Sequence, residues 1–161
     1  MVNGMSAVME GGCTCRSVRY RMTAAPMIVH CCHCRWCQRE TGSAFVINAV
    51  LETSALEVTG ETEMVDTPSQ SGNGQKIARC PTCRVALWSH YMQAGLKLAF
   101  VRVGTLDDPD TVPPDVHIYI SSKQPWLRLP EGARMFAEFY NVPDVWPPEA
   151  LARAKAAWAK P

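Results

Sequence analysis

The sequence predicts a mainly β protein of small antiparallel sheets with one C-terminal helix. Three observations lead to this fold class: about nine short β-prone segments, the twelve prolines and ten glycines that interrupt them, and an alanine-rich segment at the end of the chain. Short strands divided by turn residues are typical of a sheet-built body, whereas long periodic helices are restricted to the last segment.

The predicted strands are runs rich in β-branched and aromatic residues. They cover residues 18–22, 28–30, 43–51, 56–59, 61–65, 76–79, 86–91, 96–103 and 116–120. Segments 56–59 and 61–65 flank Gly60 and predict a hairpin. The polar, glycine-rich segment 68–74 predicts a loop.

The C-terminal segment predicts an amphipathic helix that docks on the sheet. Pro147 and Pro148 suit a first helical turn, and Leu151, Ala154 and Trp158 repeat at helical spacing beyond them. We therefore divide the chain into a flexible N-terminus (1–10), a zinc-binding β domain (11–140) and a tail with the helix (141–161).

Composition excludes several classes of function. The 161 residues fit one domain, 47% of them are apolar, and the formal net charge is +1. A near-neutral chain is not expected to bind nucleic acid or an anionic membrane. No apolar run is long enough to span a membrane and no secretory signal is present, so we expect a cytoplasmic protein. Nothing in the sequence predicts an oligomeric state.

Eight cysteines in a reducing compartment indicate metal binding rather than disulfides. Two pairs, C-x-C and C-P-x-C, each offer two thiolates from one turn, and neither has another partner nearby. Zinc prefers four such donors in a tetrahedron. We therefore predict that Cys13, Cys15, Cys80 and Cys83 form one closed structural zinc site.

The remaining cluster predicts a second zinc site with three ligands, Cys32, Cys34 and Cys37. Cys31 is the alternative fourth ligand, which would give two closed four-cysteine sites. Successive strand side chains point to opposite faces, so Cys31 is expected to face away from a metal that Cys32 faces. The same alternation argues against His33, and His30 is no better placed than chance.

A zinc ion with three protein ligands keeps a fourth position for a substrate. Three thiolates make it a weak Lewis acid, poorly suited to ionising water. Its preferred further ligand is another soft donor, above all a thiolate. The residues alone therefore predict a catalytic zinc that binds a small thiol and lowers its pKa.

The ordered motifs resemble the glutathione-dependent formaldehyde-activating enzymes, also called the centromere-protein-V-like family. The motifs are GGCTCRSVRY (11–20), CHCRWCQRETGS (32–43), CPTC (80–83) and TLDDP…HIYISSKQPW (105–126). The resemblance implies a β-tent fold, two zinc ions per chain, and the structural and catalytic ligand sets given above. It also implies a carbon–sulfur lyase activity that interconverts glutathione and formaldehyde with S-hydroxymethylglutathione.

The chain departs from the family pattern after both outer cysteine pairs, where Arg16 and Arg84 replace a common glycine. If these positions have positive φ, arginine costs about 1 kcal/mol or more at each. Two guanidinium groups would also offset the net charge of a four-thiolate zinc.

Several further residues are weaker candidates for substrate contacts. A role at the site is considered for His117, Trp36, Trp126, Arg35, Arg39 and Lys123, the last three as partners for the carboxylates of glutathione. For each, packing or surface charge is the favoured interpretation. The alternative function is a non-enzymatic zinc-stabilised binding module in which both metal sites are closed.

Overall fold

Ten strands, three α-helices and four 3₁₀ turns make up residues 8–160, the part of the chain described by the computed structural model. The strands are β1 Met9–Gly12, β2 Arg19–Met22, β3 Ile28–Cys32, β4 Val46–Glu52, β5 Leu56–Thr59, β6 Glu63–Thr67, β7 Gln75–Arg79, β8 Ala86–Tyr91, β9 Leu98–Arg102 and β10 Val116–Ile118. The helices are α1 Arg35–Thr41, α2 Val142–Val145 and α3 Pro148–Ala159. The 3₁₀ turns are Thr53–Ala55, Val103–Thr105, Pro109–Thr111 and Ile120–Ser122.

The strands form two sheets, which confirms the predicted fold class. The larger sheet has the order β10-β3-β4-β9-β8-β7-β6, and the smaller has the order β1-β2-β5. All pairings are antiparallel except that between β10 and β3. Strand β3 is buried along its whole length because it lies between two neighbours and is covered on both faces.

The hairpin predicted around Gly60 is wrong, because its two strands belong to different sheets. Strand β5 pairs with β2, whereas β6 pairs with β7. Gly60 has φ 94°, and a Cβ there would lie 2.1 Å from the Ser17 carbonyl oxygen. The backbone is therefore pressed against the loop after the first cysteine pair, and it passes from one sheet to the other.

The predicted C-terminal helix is present as α3, but its buried face differs from the expected one. Ala150, Ala154 and Ala157 are the buried residues, while Trp158 is half exposed. Small residues allow the helix to lie close to the sheet. Two hydrogen bonds from the Arg153 guanidinium to the Glu52 carboxylate, at 2.8 and 2.6 Å, join α3 to β4.

The chain termini lie partly outside the described residues. Of the segment 1–10 that we expected to be flexible, residues 1–7 are outside the description, while Met9 and Glu10 pair with β2. The division at residue 140 stays a prediction. Among the described helices, none has the length and apolar character needed to cross a membrane.

Candidate metal centres

The first cysteine group joins two loops that are remote in the sequence. Cys13 and Cys15 follow β1, and Cys80 and Cys83 lie in the turn between β7 and β8. The four sulfurs lie within 4.8 Å of one another, with 3.5 Å between those of Cys13 and Cys15 and 3.6 Å between those of Cys15 and Cys80. A tetrahedron of sulfurs about 2.3 Å from zinc has edges of about 3.8 Å. The donor set and its spacing therefore fit a zinc ion.

The two loops have the same local fold. In each, the first cysteine donates its N–H to a carbonyl five residues later, at 3.1 Å from Cys13 to Val18 and 3.0 Å from Cys80 to Val85. A backbone N–H points at the first sulfur in both, from Val18 to Cys13 at 3.3 Å and from Cys83 to Cys80 at 3.4 Å. Such bonds favour thiolates over thiols.

Arg16 and Arg84 both adopt the left-handed conformation, each with φ 65°. Glycine adopts this conformation without steric cost, whereas the Cβ of arginine makes it strained. The Arg84 guanidinium pairs with Glu63. Arg16 acts electrostatically on Asp107 and lies beside the first cysteine pair.

The second group, Cys32, Cys34 and Cys37, comes from one short segment. Cys32 ends β3, Cys34 is the N-cap of α1, and Cys37 lies in the first turn of that helix. The Cys34 sulfur accepts a hydrogen bond from the Cys37 N–H at 3.3 Å. All three side chains are buried, and their sulfurs lie within 4.8 Å of one another. The sequence analysis missed α1, whose cap is itself one of the candidate ligands.

Cys31 lies in a third group with His33 and His117. The His33 Nε2 atom is 3.0 Å from His117 Nδ1 and 3.5 Å from the Cys31 sulfur. All three side chains are buried, and the two rings stack with centroids 5.3 Å apart. Successive side chains of a strand point to opposite faces, so Cys31 and Cys32 lie on opposite faces of β3. Cys31 therefore belongs to a hydrogen-bonded cluster on the face away from the three-cysteine group. The rings of His33 and His117 pack together, while the Nδ1 atom of His33 is buried without a partner among the described residues.

The thiols of the three-cysteine group hydrogen-bond to one another, and their pKa values therefore shift in opposite directions. Hydrogen bonds from Cys32 and Cys37, together with backbone N–H groups, lower the pKa of the Cys34 thiol to about 3. The same hydrogen bonding raises the pKa of Cys32 far above its ordinary value. Without a metal, one thiolate is thus stabilised by thiols that stay protonated. A divalent ion is what would let all three ionise, since metal binding displaces thiol protons.

A buried cation lies near this group. The Arg102 side chain is 5% exposed, and it donates to Asn48 Oδ1 at 2.7 Å and Ser89 Oγ at 3.1 Å. Within residues 8–160 no carboxylate pairs with it. The hydrogen bond with Cys32 lowers the pKa of the Cys37 thiol, but Cys34 and burial raise it to about 12 overall, and the charge of Arg102 opposes this rise. A lone buried cation is unfavourable, so a neighbouring group with net negative charge would stabilise the Arg102 guanidinium. Three thiolates around a divalent ion would carry such a charge.

The three-cysteine group forms part of the wall of a cavity of about 70 Å³. Strands β3, β4, β7, β8, β9 and β10 all contribute to its lining, as does the loop at 69–71. Trp36, 41% exposed, stands at the rim. His30 also lines the cavity; burial lowers the pKa of its ring to about 4, and its Nε2 is hydrogen-bonded to the Tyr140 hydroxyl. The cavity is small, so it can enclose only a small ligand or one end of a longer one.

Most of the substrate-contact candidates from the sequence lie elsewhere. Arg35, Arg39 and Trp126 line a separate open cleft on the other side of α1. The Lys123 ammonium donates to the carbonyls of Gln124 and Leu127. Sequence reasoning missed Gln75, Asn48, Tyr91 and Arg102, which come together only through the sheet pairing of β4, β7, β8 and β9.

Comparison with known proteins agrees with the motif resemblance. A family model described as glutathione-dependent formaldehyde-activating enzyme matches residues 8–122. A crystal structure of a Rhodobacter sphaeroides protein is similar at 20% sequence identity, with a TM-score of 0.46; the match covers 64% of this chain and 94% of that one. No curated protein matches the chain.

Proposed function

Because the chain belongs to the glutathione-dependent formaldehyde-activating enzyme family, we propose that it is a zinc-dependent enzyme of the carbon–sulfur lyase type. It acts on the adduct of a small thiol and a carbonyl compound, in the manner of S-hydroxymethylglutathione. The observation that carries the proposal is the set of three buried cysteine sulfurs in the wall of an enclosed cavity. Reactive groups in such a cavity are protected from water while a ligand is bound.

In this proposal the chain holds two zinc ions with different roles. Cys13, Cys15, Cys80 and Cys83 hold a structural ion, and the ligands of the catalytic ion are Cys32, Cys34 and Cys37. Zinc in the second position would hold the sulfur of a thiol as a thiolate at neutral pH. The backbone N–H of Cys37 and the charge of Arg102 stabilise the anionic ligand set.

The proposed reaction needs no oxidant or reductant. In the direction of cleavage, the carbon–sulfur bond of the adduct breaks and its electron pair stays on sulfur. The adduct hydroxyl loses its proton as the carbon–oxygen double bond forms, and the sulfur gains a proton when the thiol leaves. In the direction of synthesis, the same steps run in reverse. The cavity residues hold the two reactants together and exclude water.

Serine substitution of single cysteines tests the proposal. Cys34→Ser and Cys37→Ser are expected to lose bound zinc at the second site and at least a hundredfold in adduct turnover. Cys31→Ser is the matched control, because Cys31 lies one residue away but in a different group, and it is expected to keep both. Turnover unchanged in Cys37→Ser would contradict the proposal.

X-ray absorption separates the enzyme from a binding module. An enzyme with one open site has on average between three and four sulfur ligands per zinc, all from the protein, and added thiol raises the total sulfur count to four. Four sulfurs at both zinc ions, unchanged by thiol, would favour the non-enzymatic module with two closed sites.

A further inference from the structure

The cavity beside the three-cysteine group is lined by neutral side chains. Among the described residues that line it, none is Asp, Glu, Lys or Arg. Its walls combine aromatic rings with side-chain amides and hydroxyls, and they include Phe100 and Tyr91, packed edge to face with centroids 4.8 Å apart. Arg102 lies behind this wall, where its guanidinium is held by Asn48 and Ser89. Apart from the three cysteines, a ligand in the cavity therefore meets apolar and neutral polar surface.

The surface next to the cavity also lacks a free cation. A shallow cleft shares Trp36, Ser69 and Gln75 with the cavity, so a long ligand would extend into it. Among its described residues the one charged side chain is Asp66, which already pairs with Lys76 at 2.6 Å. The arginines at positions 35 and 39 lie in the other cleft. A carboxylate that reaches out of the cavity on this side would find no free cation among the described residues of this cleft.

Gln75, in the wall of the cavity, carries a buried hydrogen-bond acceptor without a partner. Its side chain is 4% exposed, and its Nε2 donates to the Pro68 carbonyl at 3.3 Å. That carbonyl can only accept, so the contact fixes the orientation of the amide. The Oε1 atom is buried and has no partner among the described residues. A buried acceptor without a partner is unfavourable, and a hydroxyl or N–H group of a ligand would satisfy it.

We propose that this cavity takes adducts of uncharged, largely apolar thiols, that Gln75 Oε1 accepts a hydrogen bond from the adduct hydroxyl, and that glutathione is not its thiol. The proposal rests on the proposed function, since it assigns the substrate class of that same site. Glutathione carries carboxylates and an ammonium group at neutral pH. Burying such charges without partners is strongly unfavourable, whereas an aromatic or alkyl substituent matches the walls.

A matched pair of thiols tests the substrate class. Benzyl mercaptan, 4-(mercaptomethyl)benzoate and glutathione are titrated by calorimetry into the two-zinc protein. We expect benzyl mercaptan to bind at least tenfold more tightly than either charged thiol. Glutathione or the benzoate binding as tightly as benzyl mercaptan would overturn the inference.

Replacing zinc with cobalt distinguishes a failure of the inferred substrate class from a failure of the proposed function. A thiol that bonds to the second-site metal changes the sulfur-to-cobalt charge-transfer absorption. Equal changes with all three thiols overturn the inference and leave the proposed function standing. No change with any thiol overturns both, because a metal that takes no thiol cannot hold the proposed reactant.

Gln75→Met tests the positioning residue, with Gln124→Met in the cleft beyond α1 as control. Benzyl mercaptan lacks the adduct hydroxyl, so its Kd is expected to change less than threefold in Gln75→Met. The KM of its formaldehyde adduct is expected to rise roughly fivefold, the effect of one lost hydrogen bond, with kcat nearly unchanged. Equal losses for thiol and adduct, or no loss for either, would overturn the role.

A measurement on the protein without any substitution tests the same hydrogen bond if Gln75→Met does not fold. Benzyl ethyl sulfide has a methyl group where the adduct has its hydroxyl. We expect its inhibition constant to lie about fivefold above the KM of the adduct, because the hydrogen bond to Gln75 is missing. Equal values would overturn the proposed hydrogen bond.

Discussion

The four-cysteine and three-cysteine groups share the same backbone-to-sulfur hydrogen bond but lie in different surroundings. In both, a cysteine sulfur accepts a hydrogen bond from the N–H of the cysteine three residues later, at 3.4 Å for Cys80 and 3.3 Å for Cys34. The first group joins two loops from different parts of the chain, and Cys15 in it is exposed. The second comes from one segment, and its three cysteines are all buried beside a cavity.

This difference shows how connectivity separates a structural site from a reactive one. Two remote pairs can complete a tetrahedron, so the proposed metal holds the chain together without exposing a ligand position. A single strand-to-helix junction supplies three sulfurs and directs the neighbouring Cys31 to another face. The proposed open position therefore follows from strand alternation at the end of β3.

The largest expected effect concerns the stability that the first group supplies. Cys15 and Cys80 are separated by 65 residues, and closing a loop of that length stabilises a fold by about 4 kcal/mol in the chain-entropy relation. We expect Cys80→Ser to lower the free energy of unfolding by about this amount, as measured by urea denaturation of the zinc-loaded protein.

Cys37→Ser provides the comparison for that experiment. Its three-cysteine group closes only a short loop, so its free energy of unfolding should fall by less than half as much, while turnover is lost. Equal destabilisation by Cys80→Ser and Cys37→Ser would contradict the division into structural and catalytic sites.

The second prediction concerns the buried charge near the three-cysteine group. Arg102→Met removes a cation that favours the Cys37 thiolate and leaves the size of the side chain similar. We expect a 10- to 100-fold loss of zinc affinity at the second site, the usual range for groups that support metal ligands, with the first site unchanged. Competition with a chelator that titrates the two sites separately measures both. A loss shared equally by both sites would indicate general destabilisation.

The ligands of the four-cysteine group could be predicted from the sequence, because closely spaced cysteine pairs in loops are a local sequence pattern. Two short cysteine pairs with no other partner predicted that Cys13, Cys15, Cys80 and Cys83 would come together, and the fold brings them within 4.8 Å. The fold class was predictable for a similar reason, since short strands and turn residues are local signals. The family resemblance is confirmed by the model match over residues 8–122.

The cavity could not be predicted, because it depends on long-range pairing. Gln75 and Tyr91 are opposite each other in the register of β7 and β8, and Asn48 is opposite Arg102 in that of β4 and β9. None of these residues belongs to a recognisable sequence motif. The Gly60 error has the same origin, since close contact with Ser17, rather than the local turn residues, directs the chain between sheets.

A smaller effect is expected at Ser17, which supports only the first group. Its hydroxyl lies 3.1 Å from the Cys15 sulfur and 3.2 Å from that of Cys80, and it helps to lower the pKa of Cys80 to about 5. One hydrogen bond contributes about 1 kcal/mol. We therefore expect Ser17→Ala to weaken zinc binding at the first site roughly fivefold, with turnover preserved. Lost turnover at full zinc occupancy would mean that the two sites are coupled.

The smallest effect is expected from relieving backbone strain beside the first group. The left-handed conformation costs arginine about 1 to 2 kcal/mol, and glycine loses about 0.5 to 1 kcal/mol through its greater freedom in the unfolded chain. Arg16→Gly should therefore stabilise the fold by about 0.5 kcal/mol, measured as a shift in the urea midpoint. Arg84→Gly should gain less, because it also loses the exposed ion pair with Glu63. If both changes destabilise the zinc-loaded protein but not the metal-free one, the guanidinium groups are present to offset the charge of four thiolates, and the strain is the cost of that electrostatic role.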